Sequence, residues 1–163
     1  SDDREGVPRV LVSRHALEAV DRADAVRRAG LAGRAGGYAH VLALPAADTF
    51  SIETTAGRLA VLDGPGGHTN HYLDPELAEV GSEPSESSLA RYARLAELLA
   101  ERPPQTPEAA MATLREDGLA PQGDPDTVVL FAMVCEVESG RMWVAPGDPR
   151  EMPYEEVDLA GVV

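Results

Sequence analysis

Between residues 38 and 70 the chain breaks into three short apolar runs, residues 38–44, 50–54 and 58–62. They are separated by turn-forming residues: Pro45-Ala46-Ala47-Asp48, Ala56-Gly57 and Asp63-Gly64-Pro65-Gly66-Gly67. This punctuation predicts three antiparallel strands. The preceding stretch, residues 7–29, has a different texture: Val10, Leu11, His15, Leu17, Ala19 and Val26 recur among arginines and acids at the spacing of an amphipathic helix. Pro8 suits its first turn, Asp2 or Asp3 its cap, and Gly30 with Gly33 its end. One long helix, or two shorter ones joined near Asp21, both satisfy this pattern.

Residues 73–87, rich in Pro, Ser, Gly and Glu, read as an irregular surface crossing. A helix over residues 87–101 follows, with a stripe of Leu89, Tyr92, Leu95, Leu98 and Leu99, a cap at Ser87 or Ser88, and a stop at Pro103-Pro104. Thr106-Pro107-Glu108 supplies the cap, N1 proline and first-turn acid of another helix, whose inner face is Ala110, Met111 and Leu114 before Gly118. Residues 127–137 and 141–145 flank Glu138-Ser139-Gly140 as a β-hairpin. Helices and antiparallel strands are thus segregated along the chain, which predicts an α+β fold with helices packed on the sheet. Nothing marks a boundary within residues 1–163, so a single domain is expected.

Charge narrows the partners. With 14 basic and 28 acidic residues the net charge is −14, which argues against nucleic acid. No apolar run reaches the roughly 20 residues of a membrane helix, and the first residues, Ser1-Asp2-Asp3-Arg4-Glu5, are unlike a signal peptide, so a cytoplasmic protein is expected. All the basic residues are arginine, a habit of GC-rich bacterial genomes. The one cysteine, Cys135, falls inside an apolar strand, where a buried, inert thiol is expected.

Four segments, in order, resemble the acyl-coenzyme A:6-aminopenicillanic acid acyltransferase family of the N-terminal-nucleophile hydrolases. They are Gly6-Val7-Pro8-Arg9-Val10-Leu11 with Arg14; His68-Thr69-Asn70-His71-Tyr72; Ser88-Leu89-Ala90-Arg91-Tyr92-Ala93-Arg94-Leu95; and Arg141-Met142-Trp143-Val144-Ala145-Pro146-Gly147-Asp148-Pro149. The resemblance implies the C-terminal half of such an enzyme and a place in its four-layer αββα sandwich. It also implies a precursor that cuts itself ahead of a cysteine, whose α-amine then serves as base for hydrolysis or acyl transfer at an amide. An amine with a pKa near 8 suits that task at neutral pH.

On this resemblance Asn70, the only asparagine in the chain, matches the residue that donates to the oxyanion of the tetrahedral intermediate, and His68, Thr69 and His71 support its loop. The competing reading of Asn70 is a turn residue after Gly66-Gly67. His68 and His71 lack a third ligand of suitable spacing, so no metal is expected, and the resemblance implies no cofactor. His15 and His40 read as packed or surface residues. The resemblance places the nucleophilic cysteine upstream of Gly6, on an N-terminal segment or partner chain. The substrate is then a small acylated amine or peptide-like amide, with an acyl thioester as a further donor. The match is poor at Leu119-Ala120-Pro121-Gln122-Gly123. Two alternatives stand beside this reading: a stand-alone hydrolase with Ser1 as nucleophile, and a non-catalytic binding or oligomerisation module that keeps the scaffold.

Overall fold

A computed structural model describes residues 5–44, 48–64, 66–120 and 128–157. The chain divides into two compact units, Ser1–Ser85 and Glu86–Val163. Both combine helices with an antiparallel three-stranded sheet, the α+β arrangement expected from the segregated pattern. Ser1, the caps Asp2 and Asp3, the turn at residues 45–47, Pro65 and the poorly matching residues 121–123 lie outside the described residues.

In the first unit the helical stretch is two helices, α1 (Arg9–Ala16) and α2 (Arg22–Ala29). The break falls before Asp21, whose carboxylate accepts a 2.8 Å hydrogen bond from the Asp24 N–H and so opens a new helix. Gly30 closes α2. The inward face differs from the stripe expected. Val12, Ala16, Ala25 and Ala29 are buried, whereas Val10, Leu11 and Leu17 are exposed. The break resets the helical phase, so a stripe drawn through both helices picks the wrong residues. Small alanines let α1 and α2 approach each other and the sheet closely.

The sheet runs β1 (Tyr38–Leu44), β2 (Asp48–Thr54), β3 (Leu59–Asp63), with β2 central. The register pairs Leu42 with Phe50 and His40 with Ile52, so these side chains share one face. Phe50 and Ile52 form the core with Ala16, Ala25 and Ala29, flanked by Leu42, Leu44 and Leu59. Val41 with Ser51, and Ala39 with Glu53, point to the opposite face. Between β2 and β3 the Thr55 hydroxyl accepts from the Gly57 and Arg58 N–H groups at 3.3 and 2.9 Å, which holds the turn. Within the crossing after the sheet lies a short helix that the composition hid, α3 (Pro75–Ala78), capped by Asp74, which accepts from the Leu77 N–H at 3.0 Å. Asp74-Pro75-Glu76 is the same cap, N1-proline and acid signal as Thr106-Pro107-Glu108.

Arg34 ties the first unit's loops together. Buried to 7% exposure, it donates to the carbonyls of Thr55 (2.6 Å), Gly30 (3.0 Å), Leu31 (3.1 Å) and Arg58 (2.6 Å). Burial lowers its pKa. Val7 bridges Arg34 in parallel, with the Val7 N–H donating to Gly33 and the Ala35 N–H to Val7, at 2.8 and 2.9 Å. The chain entering α1 is thereby fixed beside the sheet.

The second unit contains α4 (Glu86–Glu101), α5 (Pro107–Leu114), β4 (Ala132–Glu136), β5 (Arg141–Ala145) and β6 (Glu155–Val157). Thr106 caps α5 as expected, accepting from the Ala109 N–H at 3.2 Å. In α4, Ser87 and Ser88 lie inside the first turn rather than capping it, and Ser88, not Leu89, faces inward. The core is Met111, Val134 and Trp143, with Ala110, Leu114 and Tyr154 packed against it. The first hairpin strand is shorter than expected, beginning at Ala132. Strand β6 had no apolar signature: Glu155 and Glu156 are exposed, and Arg141 pairs with Glu156 at 2.9 Å.

Cys135 is exposed, contrary to the expectation of a buried thiol. Strand alternation turns Val134 to the core, so Met133 and Cys135 occupy the other face, with Met142 and Val144 opposite them on β5. An apolar run does not by itself bury both faces of a strand: Val134 is covered here, and Met133 and Cys135 are exposed.

Arg34→Met retains the stem of the side chain and removes its donors, leaving four carbonyls short of partners. We expect a loss of about 3 kcal/mol in urea unfolding; an unchanged midpoint would show that water replaces the guanidinium at no cost.

Candidate functional site

The central strand carries a carboxylate in the wrong place for a simple core. Glu53 is fully buried at 0% exposure on the face of β2 opposite the helices. A buried carboxylate requires donors, and three converge on it. The His68 Nε2–H donates to Oε1 at 2.7 Å, the Leu73 N–H to Oε1 at 2.7 Å and the Asp74 N–H to Oε2 at 2.9 Å. One side chain thus clamps both ends of the loop from His68 to Asp74. Burial pushes the Glu53 carboxyl up, but the hydrogen bonds from His68, Leu73 and Asp74 together outweigh it and hold the pKa below its ordinary value. The bond to Glu53 holds His68 above the ordinary histidine value, against the opposing effect of burial and with the help of the Thr69 carbonyl, which accepts from Nδ1. Both ring nitrogens thus face acceptors.

Tyr72 pins the same loop from a second side. Its hydroxyl donates to the Thr54 carbonyl at 2.8 Å. The approach requires glycine: a Cβ at Gly37 would overlap both the Tyr72 hydroxyl and the Thr54 carbonyl, and one at Gly81 would sit 2.8 Å from the Tyr72 ring. Thr54 in turn exchanges two 3.1 Å hydrogen bonds with the backbone of Tyr38 through its hydroxyl. Within the loop, Thr69 Oγ1 and His71 Nδ1 are 3.2 Å apart.

The clamped loop forms one wall of a cavity of about 640 Å³. His68, Thr69, Asn70 and His71 all line it, together with Tyr72. Asn70 is exposed, while the His68 side chain is only 8% exposed. The four residues named from the sequence therefore face one space, and they divide by depth: His68 is the anchor and Asn70 the presented group. Arg9, Gly37, Tyr38, Ala39 and Val41 also line the cavity. Ser1 lies outside the described residues. His15 is half-buried against Arg28, with Nδ1 3.1 Å from Nη1. His40 is buried on the helix-facing side, where burial lowers its pKa. Among the described residues no group of three or more His, Cys, Asp or Glu gathers to hold a metal, and no helix is long and apolar enough to cross a membrane.

Sequence reasoning assigned no role to Glu53, Tyr72 or Gly37. A signal for Glu53 was present: an acid within the run Phe50-Ser51-Ile52-Glu53-Thr54 must either face water or find donors.

Replacing Glu53 by Gln keeps the shape but faces an amide NH₂ toward an N–H donor. Breaking a buried pair of this kind costs about 3 kcal/mol. The dependence on pH has two limbs. Glu53, held low, contributes stability present above its ordinary 4.5 and lost as pH falls through its lowered value; His68, held high, contributes stability present below its ordinary 6.5 and lost as pH rises through its raised value. The melting-temperature gap between wild type and Glu53→Gln is therefore expected to be widest between pH 4.5 and 6.5. A gap independent of pH would contradict the ionised pair.

No curated protein matches the chain. The family model for acyl-coenzyme A:6-aminopenicillanic acid acyl-transferase matches residues 1–151. That span includes the first unit's sheet, Glu53, the clamped loop and every residue lining the cavity. The chain belongs to the acyl-coenzyme A:6-aminopenicillanic acid acyl-transferase family.

Proposed function

We propose that this chain is the C-terminal portion of an autoproteolytic amidohydrolase or acyltransferase, acting on an acyl-amide bond with a nucleophilic cysteine supplied by an upstream segment or partner chain. The observation that carries the reading is the convergence of His68, Thr69, Asn70 and His71 on one cavity, on a loop clamped at both ends by a buried carboxylate. Acyl chemistry needs a fixed hydrogen-bond donor more than it needs a further charge. Asn70, presented to the cavity from an anchored loop, meets that need.

In this scheme the cysteine thiol attacks the acyl carbon and its proton passes to the cysteine's own α-amine. The carbonyl π pair moves to oxygen, where the Asn70 side-chain N–H stabilises it. Collapse breaks the C–N bond, the departing amine takes the proton, and water or a second amine then releases the acyl group from sulfur. Glu53 and His68 do not touch the reacting atoms; they position the loop.

Support for a missing layer comes from each sheet taken by itself. On the face of the first sheet away from its helices, Val41 is 57% exposed; on the second sheet, Met133 and Cys135 are exposed on the face away from Trp143. Exposed apolar sheet faces of this kind call for a covering element, as the αββα sandwich and a nucleophile-bearing segment would provide.

In the complete protein, with the nucleophile-bearing segment present, Asn70→Ala is expected to lower kcat on a panel of acylated amines about 100-fold or more, with the melting temperature unchanged. Full activity in the variant would remove Asn70 from the mechanism. A verified complete assembly with no turnover of any acylated amine would instead favour a binding module that keeps the scaffold.

A further inference from the structure

The two histidines of the clamped loop are used in different ways. Both ring nitrogens of His68 face acceptors, the Glu53 carboxylate at Nε2 and the Thr69 carbonyl at Nδ1, so neither is turned to a hydroxyl. The ring of His71 does meet one: its Nδ1 lies 3.2 Å from Thr69 Oγ1. A hydroxyl donating to a neutral imidazole, whose own hydrogen is then on Nε2, is the pairing that makes an alcohol nucleophilic. Thr69 and His71 are both half-buried and both line the cavity. The hydroxyl of Tyr72, from the same lining, is spent on the Thr54 carbonyl.

The pair is also held from beneath. The Thr69 carbonyl accepts from His68, whose ring is fixed by Glu53 on the central strand. Tyr72, the next residue after His71, is bound to the end of that strand at Thr54. Each partner is therefore adjacent to an anchored atom, and the sheet sets the separation of hydroxyl and imidazole. Asn70 lies between them in sequence, exposed and in the same lining, which puts a side-chain N–H donor beside the hydroxyl.

We propose that Thr69 is a nucleophile in its own right, with His71 as its general base, and that the cavity hydrolyses small esters through it without any thiol. The Thr69 hydroxyl proton passes to His71 Nδ1 while Oγ1 bonds to the ester carbon and the carbonyl π pair moves to oxygen. Collapse restores the carbonyl and breaks the bond to the leaving alcohol, which takes the proton from Nδ1. Water then adds to the acyl-threonine and loses a proton to Nδ1; collapse breaks the bond to Oγ1, which regains that proton. An ester suits this pair better than an amide, because an alkoxide leaves more readily than an amine anion. The volume of about 640 Å³ admits a small molecule. Neither an upstream cysteine nor Cys135 takes part, so the activity goes beyond the function proposed above and does not depend on it.

The test uses the complete protein and an alkyl fluorophosphonate, which marks activated hydroxyls: Oγ1 bonds to phosphorus, fluoride leaves and His71 takes the proton. Peptide mass mapping is expected to place the adduct on Thr69. Thr69→Ser is expected to keep labelling at that position, Thr69→Val to abolish it and His71→Gln to slow it about 100-fold or more, with melting curves verifying that each variant is folded. Hydrolysis of p-nitrophenyl acetate, measured after methyl methanethiosulfonate has capped every thiol, is expected to fall in parallel in Thr69→Val and His71→Gln. An unlabelled Thr69 in the wild type, labelling at an unchanged rate in His71→Gln, or capped-protein ester hydrolysis that survives Thr69→Val would overturn the proposal. Labelled Thr69 in a protein that turns over no acylated amine upholds it while refuting the cysteine mechanism. Acylated-amine turnover that is lost on thiol capping, with Thr69 unlabelled, does the reverse.

Discussion

A buried carboxylate accepting three hydrogen bonds is the constraint around which the first unit is organised. Glu53 sits one residue before the end of β2, the strand that pairs on both sides, and is itself paired with Ala39 and Ala60, so its position is as rigid as the sheet. From there it reaches His68, Leu73 and Asp74. A loop of this length would sample many conformations if left unanchored, and ordering it costs roughly 1 to 2 kcal/mol of backbone entropy per residue. Charge-assisted bonds in a buried setting are among the few interactions strong enough to offset that cost. The clamp also sets a sequence of dependence. Asp74, held through its N–H, is itself the cap of α3, so the same carboxylate fixes where that helix begins.

Tyr72 adds a second constraint, different in kind. It acts through volume, because the phenol fits only where Gly37 and Gly81 leave room. Its hydroxyl satisfies the Thr54 carbonyl at the end of β2, while the Thr54 side chain satisfies the start of β1. The loop is thereby attached to two strands through one ring. With the electrostatic clamp at both ends of the loop and the steric one at Tyr72 between Asn70 and the far end, the exposed Asn70 gains a fixed position without being buried itself. That combination suits a group meant to meet a ligand: precision comes from its neighbours, and access from its own exposure.

Much of this was readable from the residues, and the failures have physical causes. Strand β1 and strand β5 fall where the apolar runs put them, since turn residues bound both. The loop motif His68-Thr69-Asn70-His71 stood out because a glycine-rich turn precedes it, and the resemblance it carried agrees with the family match. The inward face of α1 and α2 was missed because buried alanines carry little signal beside exposed Val10, Leu11 and Leu17. Strand β6 was invisible because its two glutamates are stabilised by cross-strand pairing, which no local pattern reports. Cys135 was misjudged for a related reason: apolar content shows that a strand packs, not that both faces do. Glu53 escaped notice because its partners lie 15 and more residues away.

The distribution of charge links these levels. Carboxylates outnumber guanidinium groups, so most arginines are drawn into local pairs, and several acids share one, as Asp24 and Glu18 share Arg28. An arginine that stays outside such pairs in an acidic chain must be kept apart by geometry. Arg9 is kept apart because it opens a helix without an acid in its first turn and because its guanidinium lies over an aromatic ring. Glu53, which reaches His68 of the cavity lining, is itself buried and bonded to three donors.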